Sequence, residues 1–195
     1  MDTWDDEGLP TPARPPLEFR LGSRPVAVQN AALLDERRTV YRLDLRQPPC
    51  PLALAKRLLS LCPRIMSRWP GWFLPPTVII KKRKPGWEDE FDMEKRAYKA
   101  LKRLQGAVIP HYYGEAVYDG SPALVLSFIP GKTLFETWQD LEDGDLRLNL
   151  EAALRPLTSS GVHYTDVKLD NFMRADDGRV VVIDLEQVEL NTTTE

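Results

Sequence analysis

Tyr164-Thr165-Asp166-Val167-Lys168-Leu169-Asp170-Asn171 is followed, after Asp177-Gly178, by Val180-Val181-Val182-Ile183-Asp184. Asp166, Lys168, Asp170 and Asn171 gather just before a predicted hairpin, Phe172–Arg174 with Val180–Asp184, whose Asp-Gly turn is a strong hairpin signal. Its second strand is wholly apolar and ends in Asp184, which presents a carboxylate at the edge of a core. Metal-bound phosphate chemistry needs such a placement. Mg²⁺ takes hard oxygen ligands, commonly one or two protein groups plus phosphate oxygens, and Asp184 and Asn171 are suited to supply them. Asp166 would then accept the proton of an attacking hydroxyl, and Lys168 would neutralise a transferring phosphoryl group. The plainer alternative is a polar loop followed by a solvent-facing strand end.

Upstream, the β-branched run Thr77–Lys82 predicts a strand and Glu88–Leu104 a helix. The helix opens on Glu88, Asp89 and Glu90 and closes on Lys99, Lys102 and Arg103, as the macrodipole favours, with Gly106 as its stop. Its apolar stripe is Phe91, Tyr98, Leu101 and Leu104, and Glu94 lies within that stripe. A buried carboxylate needs a partner. Strand alternation puts Lys81 on the side of Ile79 and Lys82 on that of Val78 and Ile80, so one lysine faces the helix, and Lys81 is the choice. The other possibility is that Glu94 sits at the stripe's edge and touches water. Asp119-Gly120 predicts a second hairpin, Ala116–Tyr118 with Ala123–Phe128, and Leu134–Gln139 and Leu146–Leu157 read as helices.

Residues 1–16 are acidic, then proline-rich, and read as disordered. Residues 17–76 hold the strand-like runs Leu17–Leu21 and Thr39–Leu45, a turn at Gly22-Ser23, an inserted helix over Leu52–Leu61 stopped by Pro63, and the aromatic stretch Trp69–Phe73. A core over 77–190 and a polar tail over 191–195 complete the division. The segment Leu58–Phe73 mixes Arg64 and Arg68 with apolar residues; a membrane-interface or docking helix is one reading, packing against the neighbouring strands the plainer one. Lys81-Lys82-Arg83-Lys84 resembles a localisation patch but overlaps the predicted strand. Cys50 and Cys62 lack metal-ligand spacing and read as structural thiols of a reducing compartment. His111 is given no role. With a net charge of −3, no signal-like start and no apolar run of membrane-spanning length, the chain of 195 residues reads as cytoplasmic or nuclear, with no nucleic-acid partner and no transmembrane segment.

Together these residues resemble the protein-kinase superfamily. Val78-Ile79-Ile80-Lys81 looks like the V-A-I-K strand, Glu94 like the helix C glutamate, and Leu124–Gly131 like the strand running through a gatekeeper, Leu126, into the hinge. Asp166, Lys168 and Asn171 match H-R-D-L-K-x-x-N, and Asp184-Leu185-Glu186 stands at D-F-G. The Lys-Leu-Asp-Asn-Phe run and the Val-Ile-Asp-Leu-Glu ending look like a family of short kinase-like proteins of filamentous fungi. The resemblance covers about residues 77–187. It implies an α+β, truncated protein-kinase-like fold, with a small antiparallel-sheet lobe, helix C and a reduced helical C-lobe. It also implies ATP and Mg²⁺ as cofactors. Lys81 and Glu94 would bind the nucleotide with Leu126, Ser127, Phe128 and Ile129; Asn171 and Asp184 would hold the metal; Asp166 and Lys168 would be catalytic.

There are departures. No G-x-G-x-x-G precedes Lys81, and Ile79 stands where kinases place a small alanine. Tyr164 replaces the histidine of the catalytic loop, with His163 next to it as a substitute after a one-residue shift. Glu186 replaces the glycine of D-F-G, either as a further metal ligand or as an obstacle. No activation segment or A-P-E follows, as in the RIO and aminoglycoside phosphotransferase branches; a truncated gene model is the other explanation. The expected function is phosphoryl transfer from ATP to an unknown hydroxyl acceptor. The alternatives are a pseudokinase that binds a partner protein, or a fold fragment stable only with another chain.

Overall fold

Apolar alternation along short strands builds a barrel. The computed structural model describes residues 15–35, 39–47, 73–140 and 143–191. Strands β1 (Glu18–Leu21), β2 (Arg24–Asp35), β3 (Val40–Leu45), β4 (Thr77–Lys82), β5 (Tyr112–Tyr118) and β6 (Ser121–Ser127) close in the order β1-β2-β3-β4-β6-β5. Every pairing is antiparallel, and strands from both sides of residue 77 share this one barrel. Its interior is filled by Phe19, Val28, Leu43, Val78, Ile80, Tyr118 and Val125. Fully burying a side chain of the Val, Leu, Ile or Phe kind stabilises by roughly 1.5–3 kcal/mol each. Between β5 and β6, Asp119 and Gly120 both have positive φ (50° and 70°), as the tight two-residue hairpin turn that matches strand twist requires.

β2 escapes the sequence reading because only Val28 of its residues is buried. Its backbone pairs with β1 and β3, so the strand is set by its neighbours rather than by its own pattern. The helix α1 covers Glu88–Ala100, shorter than the expected span to Leu104. Leu101 leaves helical geometry, the Gln105 side chain donates to the Tyr98 carbonyl at 2.8 Å, and Lys102–Leu104 tighten into a 3₁₀ turn.

Beyond the barrel, β7 (Gly131–Thr133), β9 (Phe172–Ala175) and β10 (Val180–Val182) form one small sheet in the order β10-β9-β7. β8 (Val162–Tyr164) pairs with β11 (Val188–Leu190) in another. The expected helix from Leu134 is a single α-turn, α2 (Leu134–Thr137), continued as 3₁₀ over Trp138–Asp140. The one from Leu146 is longer than expected, α3 (Asp143–Ser159). A second core joins these parts through Phe91, Tyr98, Leu124, Leu126, Leu134, Leu157, Phe172 and Leu185. No helix among the described residues is long and apolar enough to cross a membrane. The helix expected over Leu52–Leu61, Trp69 to Trp72, Cys50, Cys62, residues 1–14 and the tail from 192 lie outside the described residues.

Candidate functional site

β4 divides its side chains between the two cores. Val78 and Ile80 enter the barrel, while Ile79 packs on the second core and Lys81 points the same way. Lys81 is 4 % exposed and Glu94 of α1 is 1 % exposed, so the stripe glutamate does not touch water. The Lys81 ammonium donates to Glu94 Oε1 at 2.9 Å, and Glu94 Oε2 lies at the same distance as an ion contact. It also donates to Asp184 Oδ1 at 2.9 Å and lies 3.2 Å from Glu186 Oε1. Burial pushes the Lys81 pKa down, but Glu94, Asp184 and Glu186 outweigh it and the net shift is upward. Burial raises Glu94 to about 7, with Lys81 opposing and Asp184 and Glu186 adding to the rise.

The small sheets bring the other acids to this point. β8 leads into Asp166, and β11, its partner, follows Glu186. The Ile183 N–H bonds the Asn171 carbonyl at 2.9 Å just after β10 ends, which fixes Asp184 beside the loop 166–171. Within that loop Asn171 Nδ2 donates to the Asp166 carbonyl at 2.9 Å and to Asp166 Oδ2 at 3.0 Å. Lys168 Nζ sits 2.7 Å from Asp166 Oδ1. Asn171 is fully buried, and its Oδ1 has no hydrogen-bond partner among the described residues. Tyr164 is buried, edge-on to Phe172 at 5.8 Å, and His163 is exposed on the opposite side of β8. The histidine therefore does not replace the tyrosine by a one-residue shift, because alternation along the strand sends the two apart.

A cavity of about 540 Å³ is lined by Lys81 and Asp184 and by Leu126, Ser127, Phe128 and Ile129. Glu94, Asp166, Lys168 and Asn171 stand behind or beside it rather than in its lining. Ile79 lines it too, and the cavity persists despite that bulk, within the usual range for small-ligand sites. Ser127 Oγ is already taken by the His111 N–H at 2.9 Å. Sequence reasoning missed other lining residues, among them Arg42, Thr133 and Glu136. Arg42 lies 4.6 Å over the Phe128 ring. Glu136 belongs to a capping box with Thr133, a T-x-x-E signal present in the sequence. The β2–β3 hairpin contributes Leu34, Asp35 and Val40, so a hairpin does border the cavity, without the glycine-rich motif. Just before β3, Thr39 Oγ1 donates to the Lys82 carbonyl at 2.6 Å.

Glu94, Asp184 and Glu186 bring carboxylate oxygens within 4.8 Å of one another, a grouping able to hold a cation. The basic run is shared out rather than displayed as a patch. Lys82 meets Asp119 at 2.8 Å, Arg83 meets Glu88 at 3.5 Å, and Lys84 lies over Trp87 and meets Glu186.

No family model and no curated protein matches this chain. Among solved structures, the crystal structure of a single-substitution mutant of the Mycobacterium tuberculosis PknI kinase domain matches with a TM-score of 0.54 and 16% sequence identity. The match covers 83% of this chain and 59% of that one, so this chain spans less than two thirds of the matched domain. The fold of this protein is therefore similar to that of a protein-kinase domain.

Proposed function

We propose that the chain binds ATP with Mg²⁺ in this cleft and transfers a phosphoryl group to a hydroxyl acceptor. The observation that carries the reading is the buried Lys81–Glu94 pair, which also meets Asp184 at the wall of the cavity. Burying these charges carries a desolvation cost that replacement by apolar residues would avoid. The residues fit a divalent cation, since the Asp184 carboxylate and the orphaned Oδ1 of buried Asn171 form a hard-oxygen donor set. When bound, the cation would neutralise charge on the phosphates. The chain's own residues would do the rest. Leu126, Phe128 and Ile129 would pack the base, and Lys81, held by Glu94, would orient the phosphates. Asp166 would accept the acceptor's proton as the new oxygen–phosphorus bond forms and the bond to the leaving diphosphate breaks. Asn171 and Lys168 already hold both Asp166 oxygens, which restricts its rotation.

A second reading is favoured by Glu186, which adds a third carboxylate around Lys81. It is a pseudokinase that binds a partner protein without turnover. The test is calorimetric titration with MgATP, followed by single-turnover phosphoryl transfer with Asp166→Asn as control. Binding with transfer that Asp166→Asn abolishes supports the enzyme. Binding without transfer supports the second reading, and no binding removes both nucleotide-dependent forms.

A further inference from the structure

We propose that Glu186 is a built-in competitor for Lys81, holding the ammonium that a nucleotide's phosphates need, so that phosphate binding requires Glu186 to withdraw. The inference rests on the nucleotide reading of the cleft. A lysine ammonium has three hydrogens and accepts nothing. Here Glu94 and Asp184 at 2.9 Å and Glu186 at 3.2 Å surround it. Glu94 and Asp184 accept hydrogen bonds from it and Glu186 adds an ion contact, so an entering phosphate must displace a carboxylate from Lys81. Glu94 and Asp184 already neutralise Lys81, so Glu186 is surplus to that need.

The turn that carries Glu186 is built to present it. Leu185 is fully buried and its N–H points to Glu94 Oε1 at 3.4 Å, while the Glu186 N–H donates to Asp184 Oδ1 at 3.0 Å. The turn held by these two anchors aims the Glu186 side chain back at Lys81. Withdrawal has a ready destination. Lys84 Nζ lies 3.4 Å from Glu186 Oε2, on the other side of the carboxylate, and is itself steadied 4.3 Å over the Trp87 ring. Glu186 can leave Lys81 and keep a cationic partner, so the competing state and the open state differ by one ion contact.

The experiment compares ATP and adenosine, both titrated without divalent cation, on the full chain and on Glu186→Gln and Glu186→Ala. Removing the competitor should tighten ATP by about tenfold, the worth of one charge-assisted hydrogen bond, in both variants. Adenosine, which has no phosphate, should bind them as it binds the parent. ATP affinity equal to or weaker than the parent's, with adenosine unchanged, overturns the competitor while leaving the nucleotide site standing. Parallel changes for ATP and adenosine also overturn it, because the effect would then lie in the pocket rather than at the phosphates. Failure of both ligands on all three proteins, each with a cooperative melt, removes the nucleotide reading and this inference together.

Discussion

Two clusters hold the charged side chains of the candidate site, and they are built on opposite plans. Around Lys81 the side chain is 5 % exposed and meets three carboxylates, two of them, Asp184 and Glu186, remote in sequence. Around Asp166 the lysine, Lys168, is 61 % exposed, and its contact with Asp166 is local. Buried charge must be matched at once or the fold is lost, whereas an exposed pair competes with water and contributes little. The first cluster is therefore part of what holds the fold, while the second contributes little to stability, which suits the acceptor role proposed for Asp166.

The largest effect should come from breaking the buried cluster. Lys81→Met leaves Glu94 uncompensated and should cost about 3–5 kcal/mol of stability, read as a lowered melting point. The loss should shrink in acid, where Glu94 takes up a proton. Asp166→Asn should lower phosphoryl transfer by roughly 10²- to 10⁴-fold, the range of a lost general base, with the melting point nearly unchanged. A loss of stability as large as that of Lys81→Met would erase the distinction drawn between the clusters. Gly131 tests the backbone that lines the cavity. Its φ is 147°, and an added Cβ would meet the Arg174 carbonyl and Ala175 Cα. Gly131→Ala should destabilise by more than about 1 kcal/mol in denaturant melts. Lys168→Ala, the exposed counterpart of the first variant, should change stability by less than about 1 kcal/mol.

The remaining comparison is a matter of sign. Burial raises the Glu94 pKa from 4.5 to about 7, so the folded state holds its proton more tightly than the unfolded one. That contribution is complete below the unfolded value and is lost as pH rises through the folded one. Wild type should therefore match Glu94→Gln near the acidic end of this window, fall progressively below it as the pH rises from 4.5 to about 7, and stay below it from there. Parallel stability curves for the two proteins would show that Glu94 stays ionised throughout.

Much of the barrel and of the site was legible because period and composition agreed. The run Thr77–Lys82 forms strand β4 over its whole length, and alternation along it showed that only one of Lys81 and Lys82 would face the helix. Glu94 announced itself by interrupting an apolar stripe. The Asp119-Gly120 turn was equally plain, since few dipeptides tolerate two positive φ angles. By contrast β7 and β11 are each only three residues long and owe their extended state to their partners β9 and β8. β2 is almost wholly exposed on its side chains, so hydrophobic pattern had nothing to report.

What the sequence by itself determined is the set of local commitments: which runs extend, where Asp-Gly turns them, and which charges stand on apolar faces. Those follow from backbone sterics and from the cost of burying an unpaired charge, both of which act within a few residues. Only the tertiary structure decided who answers each charge. Lys81 and Asp184 lie 103 positions apart in the chain and meet at 2.9 Å. Glu186 joins them because the buried Leu185 fixes its turn. The closing of the barrel, the border that the β2–β3 hairpin gives the cavity and the placement of Arg42 over Phe128 were settled the same way. Such contacts depend on packing distant segments together, and no periodicity within either segment encodes its partner.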